Sequence, residues 1–318
     1  IKAILLSDCY PDPYCRDLIQ GIRDFEGTTD QTEILTGNGA AELIYALCRA
    51  VPPGRALLTA PSFQEYENAL EAADHPCELL YLKEENDFVL PLQELLLRIT
   101  EETSIVFLCN PGNPTGTVTG KAELVRLAER CEETKTFLCV DECFLPFLSG
   151  EPALSMKGET VRFPHLAVLR AFTKVYGMPG LRLGYLMTGN RELAGRLKEK
   201  LPPWNVSLPA QLAGAAALKA EGYLEKTREL IRGEKEKMVS LLLETVADRV
   251  YPGSANFLFF HGREGLKEAL LDRKILIRDC SNFKGLSRGY YRICIRTQEE
   301  NERLKEILYS LAGKEAGK

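Results

Sequence analysis

The 318-residue sequence predicts an α/β fold: a mostly parallel sheet held between helices, followed by a smaller α+β domain. Two patterns predict it. Up to about residue 190, apolar runs of strand length alternate with helical stretches. Those runs are nearly continuous, as strands covered on both faces require. Beyond that point one long helical stretch precedes a few apolar runs spaced by short helices. With 45% hydrophobic and 27% charged residues, the chain has the make-up of a globular protein large enough to bury a substantial core.

A possible strand opens "ILTGNGAAELIYAL" (34–47), and small residues lead from it into a helix at 40–50. The next strand-like runs are "RALLTA", "CELLYL", "SIVFLC", "TFLCVD", "LAVLRAF" and "LGYLMTG", with helical stretches at 62–73, 89–102 and 120–134 between them. Only the turn "VYGMPGLR" separates the last two runs. That is too short for a crossover helix, so a hairpin or an antiparallel edge is expected. A charged helical stretch covers roughly 207–247, broken near Gly222. "ANFLFF", "ILIRD" and "YYRICIRT" follow, with helices at 264–273 and 299–312, and the tail "GKEAGK" is expected to fray.

Charge and composition exclude several partners. The net charge of −5 comes from mixed signs with no basic stripe, which argues against nucleic acid. The apolar run "LIYALCRAV" is too short to span a membrane. The start "IKAILLSDCY" lacks the apolar stretch and cleavage site of a signal peptide, and a cytoplasmic protein is expected on its thiols. The ten cysteines are scattered without a C-x-x-C pair, and reduced, buried thiols are expected, several of them in apolar runs (Cys109, Cys139, Cys294). Cys139 and Cys143 flank Asp141 with no histidine near, so no metal site is expected.

The chemistry gathers at the ends of the apolar runs. "GNGAAE" places Gly39 and Ala40 where a helix begins, and free backbone N–H groups there attract phosphate. The dinucleotide fingerprint is incomplete, because Glu42 stands at its third glycine, and no ribose-binding acid follows convincingly. A nicotinamide dehydrogenase is therefore disfavoured. A non-catalytic regulator module is disfavoured too, since no DNA-binding extension is visible. Phe63, in "APSFQEYENAL", offers a flat ring for stacking, though such a residue is more often core. "CNPGNPTG" forms a rigid turn at a strand's carboxyl end and presents Asn113. Asp141 closes "TFLCVD", where a carboxylate needs a partner or serves as a helix N-cap. Lys174 falls between an apolar run and a glycine-rich turn, and Arg182 follows eight residues later, where it can clamp a phosphate. Lysine, aspartate and asparagine so placed suggest a pyridoxal phosphate enzyme. The lysine would hold the cofactor as a Schiff base, and the aspartate would keep the pyridine nitrogen protonated. Arg278, Arg292 and Arg296 lie in the later part of the chain. Arg292 and Arg296, four apart, would share one strand face and bind an anion, or else make surface salt bridges.

"GNGAAE", "PSFQEY", "NPGNPTG", "DECF", "FTKVYGMPGLRLGY" and "YRICIRT" occur in this order across nearly the whole chain. The set resembles the fold-type I, pyridoxal-phosphate-dependent aminotransferases. Within them it is most similar to the histidinol-phosphate aminotransferases and the threonine-phosphate decarboxylases of cobalamin synthesis. The resemblance implies a transferase fold with a seven-stranded sheet, divided into an N-terminal segment (1–30), a large cofactor-binding domain (31–205) and a linking helix with a small domain (206–318). It implies that Lys174 carries pyridoxal 5'-phosphate and Asp141 pairs with the ring nitrogen. Asn113 would hold the ring hydroxyl, Phe63 would stack on the ring, and Gly39 and Ala40 with Thr173 and Arg182 would hold the phosphate. Arg292 would take the substrate carboxylate and Arg278 the substrate phosphate, with Arg296 the second arginine of the decarboxylase pattern. Tyr10, in "CYPDPY", would reach the cofactor phosphate of a neighbouring subunit, which implies a homodimer with shared active sites. Phe144 stands where the aminotransferases carry a tyrosine, and "LIRDCSNFKGL" and "LPPWNVSLPAQ" also match the decarboxylases. A small phosphorylated amino acid is the expected substrate: L-threonine O-3-phosphate for decarboxylation, with histidinol-phosphate transamination as the alternative. Both relatives also carry an N-terminal segment with an asparagine–proline motif over the substrate, which these 318 residues do not include.

Overall fold

Side chains alternate along a strand, so an uninterrupted apolar run must be covered on two faces. The computed structural model, which describes Leu6 and residues 8–313, meets that demand with a layer of helices on each side of one sheet. Its strands are β1 (Glu33–Asn38), β2 (Arg55–Ala60), β3 (Cys77–Tyr81), β4 (Thr103–Cys109), β5 (Phe137–Asp141), β6 (Leu166–Ala171) and β7 (Leu183–Thr188). The order is β1-β7-β6-β5-β4-β2-β3. β2, β3, β4, β5 and β6 pair in parallel, and β7 is antiparallel to both β6 and β1. The expected hairpin is present, but it is not an edge: β1 adds to the free side of β7, so β1 and β3 are the outer strands.

The helices are α1 (Arg16–Glu26), α2 (Ala40–Ala50), α3 (Glu65–Glu71), α4 (Leu92–Arg98), α5 (Lys121–Glu133), α6 (Arg191–Lys200), α7 (Leu208–Ala217), α8 (Tyr223–Thr245), α9 (Leu266–Leu271) and α10 (Gln298–Leu311), besides short helical turns. On one face Leu57, Val106, Leu138, Val140 and Val168 pack with Leu18, Ile22, Leu95, Leu124 and Leu127 of α1, α4 and α5. On the other, Leu58, Ile105, Phe107, Cys139 and Leu169 pack with Leu43, Leu47, Tyr66, Leu70, Leu193 and Leu197 of α2, α3 and α6. Each such leucine contributes about 1.5–3 kcal/mol by leaving water. α3 and α4 are shorter than their sequence patterns. Pro61 to Gln64 form the turn ahead of α3, and α4 runs only from Pro91 to the extended Ile99. α1 and α6 carry many charges over few buried apolar residues, which hid them among polar sequence. The long charged stretch splits at Gly222, whose φ of 67° ends one helical path and starts α8.

The smaller sheet holds β8 (Ala247–Val250), β9 (Phe257–Gly262), β10 (Arg278–Asp279) and β11 (Tyr290–Cys294), in the antiparallel order β10-β11-β9-β8. "ILIRD" supplies only the two residues of β10. α8, α9 and α10 cover this sheet around Met238, Leu242, Leu258, Phe260, Leu270 and Leu308. Phe88, between β3 and α4, joins the two parts: its ring centroid lies 5.1 Å from Tyr251, 5.5 Å from Phe259 and 6.3 Å from Tyr290. Beside it, the Glu84 carboxylate accepts hydrogen bonds from the hydroxyls of Tyr290 (2.7 Å) and Tyr251. The ten cysteines are free thiols; seven are buried, Cys77 is half-buried, and Cys9 and Cys294 are exposed. Cys294 departs from expectation because it is the last residue of β11, where the strand runs out of its cover. The tail expected to fray lies outside the described residues from Lys314 on.

A charged cluster is sealed beneath the sheet. Arg170 of β6, 2% exposed, donates to Glu26 at the end of α1 (3.0 Å), to Glu142 (2.8 Å) and to Glu151. Lys157 (2.7 Å) and the Tyr185 hydroxyl also donate to Glu26. Burial pushes the Glu26 carboxyl up, but Arg170 and Lys157 outweigh it and hold the group below its ordinary value. Burial raises Glu142 despite Arg170. Glu142 directly follows Asp141, so strand alternation sends one acid into this cluster and leaves the other for the cavity described next.

Candidate active site

The carboxyl ends of the parallel strands, the β6–β7 turn and the smaller sheet enclose a cavity of about 480 Å³. Its walls include Ala40, Phe63, Asn113, Asp141, Thr173, Lys174, Arg182, Arg278 and Arg292. Nine residues singled out from the sequence thus meet in one place, although they span most of the chain. Crevices outside the carboxyl ends of parallel strands are where open α/β sheets bind ligands.

Asp141 ends β5 and is 5% exposed. Its Oδ1 accepts from the Cys143 backbone N–H at 2.9 Å, and its Oδ2 accepts from the Tyr66 hydroxyl at 2.6 Å. It therefore closes a local turn and is not a helix N-cap. Lys174 lies in the single helical turn Phe172–Val175 that follows β6. Among the described residues no carboxylate pairs with its amine, which sits 5.9 Å from the Phe144 ring centroid. Phe144 packs edge-on against Phe257 at 5.1 Å and offers the cavity no donor.

Asn113 is held out by a loop that satisfies itself. The Asn110 side chain exchanges hydrogen bonds with Thr119 (2.8 and 3.1 Å), Gly112 donates to Thr117 (2.8 Å), and Gly116 donates to Gly112 (2.7 Å). The Asn113 oxygen accepts from the Arg292 guanidinium. Arg292 of β11 stands directly opposite Arg278 of β10. Like charges facing each other across an antiparallel pair cost energy unless an anion joins them. Each leans on an aromatic ring, Arg292 on Phe257 at 4.8 Å and Arg278 on Phe283 at 5.1 Å. The buried Arg292 Nε has no partner, and burial holds this guanidinium below the ordinary arginine value.

The start of α2 is built on one glycine and one arginine, both with positive φ, and could cradle an anion. Gly39 caps α2 with φ 82°, and a Cβ there would come 2.6 Å from Arg182 Nη2. Arg182 has φ 53°, a left-handed conformation uncommon for a non-glycine residue. Gly184 admits the close approach of β7, since its Cβ would fall 2.5 Å from the Ala40 nitrogen. Glu42 explains the broken fingerprint: its carboxylate accepts from the Asn38 N–H and the Asn205 amide, each at 2.7 Å, and so ties the cradle to the loop after α6.

This set fits pyridoxal phosphate. A helix N-terminus with Arg182 suits the phosphate, a buried carboxylate suits a protonated ring nitrogen, Phe63 suits the ring face, and Lys174 is an unpaired amine. Tyr10 and Arg296 are not brought into the cavity. Tyr10 is 83% exposed and lies against Trp204, 5.4 Å between centroids. Arg296 lies past the end of β11, and Glu300 four residues on captures its guanidinium at 2.6 Å. It lines a separate basic cavity of about 760 Å³ with Lys267, Lys274 and Arg303, which meets the first at Arg278, Asn282 and Arg292. Tyr66, Asn282 and Phe283 also line the site and carried no sequence signal apart from their nearness to quoted motifs.

The sequence profile described as Aminotransferase class I and II matches residues 9–308. The chain is 37% identical over 284 residues to a threonine-phosphate decarboxylase of Salmonella typhimurium, covering 86% of this chain and 76% of that one. It is 31% identical to the adenosylcobalamin biosynthesis bifunctional protein CobDQ of Leptospira interrogans, covering 93% of this chain and 34% of that longer one. Among solved structures it is similar to the histidinol-phosphate aminotransferase from Clostridium acetobutylicum, with a TM-score of 0.91, 29% identity, and 98% and 92% of the two chains covered.

Proposed function

Because the chain belongs to the class I and II aminotransferase family, we propose that it is a pyridoxal-phosphate-dependent L-threonine O-3-phosphate decarboxylase of cobalamin synthesis. The observation that carries this reading is the opposed pair Arg278 and Arg292 on the wall of the cavity that holds Lys174 and Asp141. Two guanidiniums suit a substrate with both a phosphate and a carboxylate. The relatives with decarboxylase and cobalamin-synthesis names support it, as does Phe144 in place of a donor.

Pyridoxal 5'-phosphate is the cofactor of this family and, when bound, supplies an electron sink for cleavage at the substrate's α-carbon. Lys174 would hold it covalently, Asp141 would face its ring nitrogen, Asn113 its hydroxyl and Phe63 its ring. Gly39, Ala40, Thr173 and Arg182 would hold its phosphate. Arg278 would anchor the substrate phosphate and Arg292 would orient its carboxylate. The Lys174 amine then returns a proton to the α-carbon.

A second reading, transamination of histidinol phosphate with 2-oxoglutarate, is favoured by the 0.91 structural likeness. Histidinol phosphate, however, brings one anionic group to the two arginines. The exposed Tyr10 and half-exposed Trp204 support a homodimer in which Tyr10 serves the neighbouring site. Ten unpaired thiols support a reducing, cytoplasmic setting. The two sheets, each with its own core, support a large and a small domain, with Val206 and Ala210 packed in the large-sheet core and Phe144 to Leu148 reaching the smaller one. The test is CO2 release from L-threonine O-3-phosphate by cofactor-loaded protein with no oxo acid present. Release that depends on Lys174 is expected. No release, together with glutamate formed from 2-oxoglutarate when histidinol phosphate is the amino donor, would replace this reading by the second.

A further inference from the structure

Tyr66 is the second residue of α3, and none of the roles above uses it. It is fully buried, yet its hydroxyl reaches the cavity wall and donates to Asp141 Oδ2 at 2.6 Å. That is the length of an O–H···O⁻ bond to a charged acceptor. The Cys143 N–H holds the other oxygen at 2.9 Å. Two donors from different parts of the chain therefore fix both the position and the plane of the carboxylate.

The tyrosine is itself fixed. Its ring stacks on Phe107 of β4, 5.1 Å between centroids and 12° between planes. Its other neighbour is Phe63, met edge-on at 5.5 Å and 84°. One side chain thus sets the carboxylate and the stacking ring relative to each other. Burial, and then the Asp141 charge, push the hydroxyl well above the ordinary tyrosine range, so it remains a donor.

We infer that Tyr66 is the positioning residue of Asp141, holding the carboxylate as a fixed anion against the cofactor's ring nitrogen while it spaces Phe63 from that carboxylate. The inference rests on the proposed cofactor reading. A hydroxyl donated to a carboxylate favours its anionic form, which leaves the shared proton on the ring side.

The test uses the full chain loaded with pyridoxal phosphate labelled with 15N at the ring nitrogen. Tyr66→Phe keeps both ring contacts and removes the donor. The expected result is a ring-nitrogen 15N resonance moved towards its unprotonated value, an unchanged 31P resonance, and cofactor affinity lowered about tenfold, as loss of one charge-assisted hydrogen bond implies. Phe107→Leu is the packing control. It should lower the unfolding midpoint and leave the 15N resonance in place. If Tyr66→Phe lowers affinity without moving the 15N resonance, or Phe107→Leu moves it equally, Tyr66 is a core residue and the inference is overturned. A wild-type protein that takes up no pyridoxal phosphate overturns the cofactor reading itself, a result distinct from either.

Discussion

The guanidinium of Arg292 donates to the side-chain oxygen of Asn113, which leaves the amide nitrogen of Asn113 as the group available to a ligand. The contact joins β11 of the smaller sheet to the loop after β4, so a substrate that engages Arg292 also disturbs the residue assigned to the ring hydroxyl. Arg292→Ala is expected to cost about 2–5 kcal/mol in kcat/KM, the range for truncating a buried charged partner. Arg296→Ala, whose guanidinium serves Glu300 at the surface, should cost less than about 1 kcal/mol. Steady-state CO2 release with both variants measures the difference; equal losses would return Arg296 to the site.

Lys174→Ala should abolish turnover. Proton transfer by a placed side chain is worth about 10²–10⁴ in rate, and among the described residues Lys174 is the only lysine in the cavity wall. Single-turnover CO2 release should fall at least that far, while noncovalent cofactor remains detectable by absorbance. Appreciable turnover would remove Lys174 from its role.

A methyl group at residue 39 has nowhere to go. Gly39→Ala places a Cβ 2.6 Å from Arg182 Nη2 on a backbone with φ 82°. Arg182 must move, and cofactor affinity should drop about tenfold, ~1.4 kcal/mol, in an absorbance titration. Unchanged affinity would mean that Arg182 does not hold the phosphate.

Arg170→Met leaves three carboxylates without their shared cation. Breaking a buried ion pair from one side costs about 3–5 kcal/mol. An unfolding free energy lowered by that amount, read as a lower urea midpoint at unchanged slope, is the expected outcome.

Glu84 supplies a pH test of the junction between the two sheets. The Tyr251 hydroxyl, then the Tyr290 hydroxyl, hold its folded carboxyl below the ordinary value of 4.5. A depressed carboxyl stabilises the folded state above its unfolded value and loses that contribution as pH falls through the folded one. Glu84→Gln should therefore destabilise by about 1–2 kcal/mol near neutrality, and the gap to wild type should close as pH drops below about 4.5. Chemical denaturation at several pH values checks it; a constant gap would show that the charge of Glu84 is irrelevant.

The sequence made the parallel strands legible because burial on both faces leaves unbroken apolar runs, as in β2, β4 and β5. It made Lys174, Asp141 and Asn113 legible because each ends such a run. Arg296 falls outside the alternation suggested by its spacing from Arg292, because counting along a strand assumes that the strand continues. β11 ends at Cys294, and the side chains of Glu300 and Asn301 then take over residue 296. α1 stayed hidden because a helix that buries only Leu18, Ile22 and Glu26 reads as polar sequence. Tyr66 stayed hidden because its partner is 75 residues away and no local pattern encodes that meeting.

The Arg170 cluster also bears on how the chain is made. Glu26 leaves the ribosome 144 residues before Arg170, on the order of ten seconds earlier at roughly 5–20 residues per second. Through most of that interval α1 has its acid but neither of the bases that pair with it, Lys157 and Arg170, so the nascent helix has reason to stay at the surface. The arrival of β6 supplies the counter-charge, and the first helix of the described chain can seal only after the sixth strand has been synthesised.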